Sequence, residues 1–215
     1  MRRALAPLLL FVAAACAAPV QSGGVDVRAG AEQRLEQLCK FRRGESGRDG
    51  CASGAPAPAR VVRVADPAKD ALRGALAIAR PGDYVLDNGE IAVAIDALGR
   101  GSGFAESGGN VIDAADARVR VDELGQMFTF FGVFPRQAVY ERLATGPTND
   151  GAAFVDVAGH ELYEAKLAVR TRYLLRPGSR ALEVTTELEN EGERPLDPID
   201  LGDAVQWGSA IKLAP

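Results

Sequence analysis

The run LAVRTRYLLRPGSRALEVTTELEN, from Leu167 to Asn190, alternates apolar and charged residues on both sides of Pro177-Gly178. Proline fixes φ near the value that the second position of a tight turn needs, and glycine tolerates the positive φ that follows, so the pair predicts a hairpin. Pairing Leu175 with Arg180 sets Tyr173 opposite Leu182, Thr171 opposite Val184 and Arg172 opposite Glu183. Val169, Tyr173, Leu182, Val184 and Leu188 then share one face, and Arg170, Arg172, Glu183, Glu187 and Glu189 the other. Opposite charges face each other across the strands, and apolar residues meet on the side turned to the core.

The same reading extends upstream. Tyr84-Val85-Leu86 and Ile91 to Ile95 flank Asp87-Asn88-Gly89-Glu90, where Asn-Gly between apolar runs signals a second hairpin because both residues tolerate positive φ. Ile91, Val93 and Ile95 share a face with only alanines opposite, so both sides of this strand are expected to be covered. Val119 to Val121, Met127 to Phe131 and Ala152 to Val157 are further strand candidates, and Asn190 to Pro195 makes another turn. Few segments after Val61 carry a helical period. Short strands separated by turn signals about every ten residues predict an all-β fold, an antiparallel β-sandwich spanning residues 61–215.

Residues 1–60 have a different composition. Arg2 and Arg3 precede the uncharged run Ala4 to Ala15, which has the form of a secretory signal peptide and is well short of the roughly 20 apolar residues of a transmembrane span. It closes on Ala13-Ala14-Ala15-Cys16, which resembles the lipobox of bacterial lipoproteins, although the box usually opens with leucine where Ala13 stands. The alternative is an ordinary A-x-A cleavage site with Cys16 a spare thiol. Three cysteines leave one unpaired in an oxidising compartment; lipid on Cys16 leaves Cys39 and Cys51 to form a disulfide around Gly44, Gly47 and Gly50.

Ala31, Leu35, Leu38 and Phe41 fall at helical spacing within Ala29 to Arg43, and Ala52 to Ala59 (ASGAPAPA) reads as an extended linker. The expected organisation is therefore a signal peptide (1–15), a lipid-anchored tether with one short helix (16–60) and the sandwich (61–215). Ala17 after the cysteine is not the aspartate of the usual inner-membrane retention pattern, which places the chain in the bacterial envelope at the outer membrane. Loss of residues 1–15 removes two arginines and no acids, moving the formal charge from −4 to −6. An acidic chain offers no electrostatic case for nucleic acid.

Chemistry-bearing residues are sparse. The single histidine, His160, excludes histidine-rich metal sites, lies in an expected surface turn, and has no G-x-S-x-G partner motif. No metal or cofactor is expected. Gly99 to Gly109 (GRGSGFAESGG) carries five glycines without the G-x-x-x-x-G-K-[ST] pattern and reads as a loop between strands that could border a sugar or peptide groove. Asp197, Asp200 and Asp203 recur every third residue but lack EF-hand spacing, and read as turn and solvated aspartates. Asp113, Asp116, Asp122 and Glu123 are available carboxylates without a defined separation. Met127 to Phe134 (MFTFFGVF) holds four of the eight phenylalanines and, like Trp207, reads first as core and second as an aromatic platform. The candidate ligand groove is Phe104, Asn110, Asp203 and Trp207.

The stretches Arg80 to Ile95 (RPGDYVLDNGEIAVAI), Gly108 to Asp113 (GGNVID) and Thr171 to Asn190 resemble the amino-terminal β-sandwich of large myxobacterial-type envelope lipoproteins, and the last also resembles strands of mutarotase-like supersandwiches. The resemblance covers about residues 61–208. It implies a supersandwich-like fold that is incomplete at its carboxyl end, where Gly202 to Gly208 (GDAVQWG) reads as the entry to a strand, and hence a fragment with an open edge. In such proteins the sandwich precedes regulatory-like modules and a PHP-type (polymerase and histidinol phosphatase) metallohydrolase domain that needs several histidines; with one histidine this chain cannot contain it, and no catalytic residue carries over. The expected role is a non-catalytic binding or scaffolding domain for a glycan or an envelope protein, the amino-terminal part of a larger hydrolase. The alternative is a carbohydrate-active domain using loop carboxylates as acid and base.

Overall fold

A computed structural model describes residues 4–8, 56–122 and 124–208, the first five as backbone only. Eleven strands and one helical turn follow in the order β1 (Ala4–Leu8), β2 (Arg60–Arg63), α1 (Pro67–Asp70), β3 (Tyr84–Asp87), β4 (Ile91–Ile95), β5 (Val111–Asp116), β6 (Leu124–Phe130), β7 (Ala138–Pro147), β8 (Ala153–Glu161), β9 (Leu167–Leu175), β10 (Leu182–Asn190) and β11 (Gly202–Trp207). They form two antiparallel sheets, ordered β1-β10-β9-β8-β7 and β11-β6-β5-β4-β3-β2. The fold is all-β and sandwich-like, as the alternation predicts. Its first strand after the linker begins at Arg60, next to the expected boundary at Val61.

The main core lies between the sheets. Leu86, Val93, Ile95 and Val111 from one sheet meet Val155, Val157, Val169, Tyr173, Leu175 and Val184 from the other, all buried. The strict period of β8 and β9, with every second residue buried, is the signature of sheets with one solvated face. β4 behaves differently and as expected from its alanines. Val93 and Ile95 enter the main core while Ala92 and Ala94 pack outward against Val85, Ile112 and Leu72. Small side chains let the segment around α1 lie close over that face.

Both hairpins form, each with a difference. In the β9-β10 hairpin Leu175 pairs with Leu182, Tyr173 with Val184 and Thr171 with Thr186, two residues away from the pairing that the Pro-Gly turn alone predicts. A two-residue shift preserves every face, because side chains alternate with period two. The longer loop has a cause: the buried Asn88 side chain donates from Nδ2 to the carbonyls of both Arg176 and Ser179, each at 2.7 Å. In the β3-β4 hairpin Leu86 pairs with Val93, and of the Asn-Gly pair only Gly89 takes positive φ (82°). Asn88 instead uses its Oδ1 to accept from the amides of Glu90 and Ile91, so its side chain builds the turn from both sides.

Four other expectations are corrected. Val119 to Val121 forms no ladder strand: Arg120 has φ of 56° and Val121 makes only an isolated bridge to Arg73. His160 lies within β8 opposite Ala168 and not in a turn, because Gly159 lets the strand pass against the Val139 carbonyl. Phe134 and Trp207 are exposed at 54% and 56%, whereas Met127, Phe128 and Phe131 are core. Gly132, at φ 70°, turns the chain out of the sheet before Phe134, and Trp207 ends an edge strand. Cys16, Cys39, Cys51, the expected helix from Ala29 to Arg43, Glu123 and most of residues 1–15 lie outside the described residues.

Candidate binding face

Three loops meet at the end of the sandwich away from the Asn88 hairpin: residues 96–110, 131–137 and 162–166. Two buried glutamines fix the first of them. Gln126 on β6 accepts from the Phe104 amide at 2.9 Å and donates to the Ser102 carbonyl. Gln137 accepts from the Glu106 amide at 2.9 Å and donates to the Phe104 carbonyl at 3.1 Å. Both backbone polar groups of Phe104 are therefore held by side chains, one rooted in each sheet region. Gly103 is required at φ 60°, since a Cβ there would stand 2.5 Å from Gln126 Oε1.

Held this way, the Phe104 ring is 55% exposed and meets Phe134 edge to face, with centroids 5.9 Å apart and planes at 89°. That is the geometry aromatic quadrupoles favour. Val133 and Tyr163 are also exposed. The loops bearing them are joined by Glu161, fully buried at the end of β8, which accepts from Arg136 Nε at 3.0 Å and from the Tyr163 amide at 3.0 Å. The Leu162 amide completes the join by donating to the Gln137 carbonyl. Glu161 raises the Arg136 guanidinium above its ordinary value and so keeps the buried carboxylate matched with a cation. A buried charge without that partner would be costly.

Beneath this face, polar groups run into the core. The Tyr140 hydroxyl contacts Thr171 Oγ1 at 2.7 Å and Thr129 Oγ1 at 3.2 Å, and Thr129 donates to Asp203 Oδ1 at 3.2 Å. Tyr173 donates to the Gly109 carbonyl. Burial pushes the Tyr140 phenol up to about 12 and Tyr173 well above its usual range, so both stay protonated at neutral pH and act as hydrogen-bond donors. Burial likewise raises Asp96 to about 7 and Asp113 to about 6.

The four groove candidates are distributed as follows. Phe104 lies on the exposed face. Asn110 is buried, its amide donating to Asp96 Oδ1 and its Nδ2 to the Ser107 carbonyl, at the base of the glycine-rich loop. Asp203 and Trp207 lie on β11, Asp203 opposite Thr129 and Trp207 opposite Leu124. Phe104 thus stands with Phe134 and the glutamines, which sequence reasoning did not select. A polar Gln inside an apolar strand was the available signal for Gln126, and Gly132 ahead of Val133-Phe134-Pro135 the signal for an exposed ring.

Three buried carboxylates face the backbone. Asp83 accepts from the Arg80 and Ala97 amides, Asp113 from Ile78 and Ala79, and Asp122 from Ala114 and Leu124. Among the described residues no group of three or more His, Cys, Asp or Glu is placed to hold a metal ion. No family model, no curated protein and no solved structure matches this chain, so its own geometry is what bears on its function.

Proposed function

We propose that this chain is a bacterial envelope lipoprotein, anchored at the outer membrane through lipid on Cys16 and carrying a Cys39–Cys51 disulfide. Its β-sandwich is a non-catalytic binding domain whose contact surface is the Phe104–Phe134 platform. The observation that carries the reading is the pair of exposed rings held on buried polar supports. Exposed phenylalanines are costly to hydrate, and here four hydrogen bonds fix the loop that keeps one of them outside. A glycan fits such a surface, because the apolar faces of sugar rings lie on aromatic faces while the rim stays wet. Asp83, Asp113 and Asp122 are engaged with backbone amides, which favours binding over turnover.

The test is a titration of glycans and peptidoglycan fragments against the wild-type chain and the double variant Phe104→Ala/Phe134→Ala. The expected result is binding that falls about tenfold or more in the variant, since each ring contact is worth on the order of 1 kcal/mol and 1.4 kcal/mol is tenfold. Equal binding by both proteins, or none by either, defeats the reading. For the anchor, Cys16→Ser is expected to release the chain from the membrane fraction and to remove the acyl mass.

A further inference from the structure

The sheet β1-β10-β9-β8-β7 ends on Ala4–Leu8, which pairs antiparallel with β10 from Ala4 opposite Leu188 to Leu8 opposite Val184. This strand lies inside the segment read as a cleaved leader. With β1 removed, β10 becomes the outermost described strand of its sheet. A bare edge presents a row of unpaired N–H and C=O groups. We infer that the β10 edge, Val184 to Leu188, is a strand-addition site, occupied by Ala4–Leu8 in the precursor and, after cleavage, by an uncharged apolar strand of another envelope polypeptide.

Two observations select that occupant. The segment seated on the edge, ALAPL, carries no charge, and its Pro7, which cannot donate to a ladder, is tolerated because β1 is itself an outermost strand. A second copy of the chain is the obvious competitor. Antiparallel self-pairing centred on Thr186 would set Thr185 against Glu187 and Glu183 against Glu189, a like-charge opposition on each side of the dyad. The apolar strand meets no such opposition. Main-chain hydrogen bonds supply the affinity in this mode of recognition, and the facing side chains supply the selectivity.

The proposal rests on removal of residues 1–15, which the mass of the exported chain reads separately. The edge itself is tested with the chain 16–215 and a synthetic peptide of residues 1–10. The peptide is expected to bind and to slow hydrogen exchange at the amides of Val184 to Leu188. In the register Leu5 stands opposite Glu187, which is exposed. A Leu5→Glu peptide is therefore expected to bind several-fold more weakly, and a Glu187→Lys chain to recover that loss. No protection at 184–188, or a charge change without effect, overturns the site. A chain 16–215 that dimerises with the same amides protected overturns the occupant.

Discussion

The sheet ending in β7 turns ion pairs outward, whereas the sheet ending in β2 is covered on both faces at β3, β4 and β5. On the first, Arg172 pairs with Asp156 and lies over Phe154 with its guanidinium carbon 5.0 Å from the ring centroid, and Arg176 reaches Glu183 and Asp150. On the second, Ala92, Ala94, Val85 and Ile112 form an outer cluster with Leu72, and the acids nearby serve backbone amides from buried positions. The same residue type therefore does two jobs. Solvated carboxylates add little to stability, whereas buried Asp113 holds the 78–79 backbone while burial raises it to about 6.

The largest effect expected is at the layer shared by both sheets. Leu86→Ala removes a fully buried side chain and should cost about 2–5 kcal/mol by denaturant unfolding. The next falls on the covered sheet alone: Asp113→Ala leaves the Ile78 and Ala79 amides without acceptors and should cost about 1–3 kcal/mol, while Asp113→Asn recovers part of it. Asp96 should make that sheet pH-sensitive. Its ordinary value is 3.8 and its folded value about 7, so between those limits the folded chain holds a proton that the unfolded chain has lost. Stability contributed there falls as pH rises through that window and levels off above it. Asp96→Asn should flatten the fall, seen as a melting temperature less dependent on pH between about 4 and 7. The smallest effect belongs to the solvated sheet, where a double-mutant cycle on Arg172 and Asp156 should return less than about 1 kcal/mol and shrink in salt. A larger coupling there would break the contrast between the sheets.

What the sequence made legible follows the same division. On the solvated sheet the alternation of Leu167 to Asn190 assigned every face correctly, and the pairing slipped by two because the loop contacts that set it come from Asn88, far away in the chain. On the covered sheet the alanines of β4 announced a second buried face, but nothing local announced that Asp113 would cap residues 78 and 79. The candidate face was half legible. Phe104 could be singled out as an aromatic residue in a glycine-rich loop, whereas its supports Gln126 and Gln137 and its neighbour Phe134 come from the β6-β7 region and converge only through the fold. Asn110, a surface candidate by composition, is spent on the base of that loop.

Asn88 has a mechanical consequence. Its side chain sits in the tip of one hairpin and grips two carbonyls in the tip of the other, 88 and 91 residues further along. It works as a registration pin between the two layers. Sliding one sheet over the other by a single strand step would shear both bonds at once, so the sandwich has one alignment at that end. At the other end Gln126 and Gln137 grip the same loop from two sides. A layered body pinned at both ends resists shear, and the exposed rings ride on it as a fixed fixture.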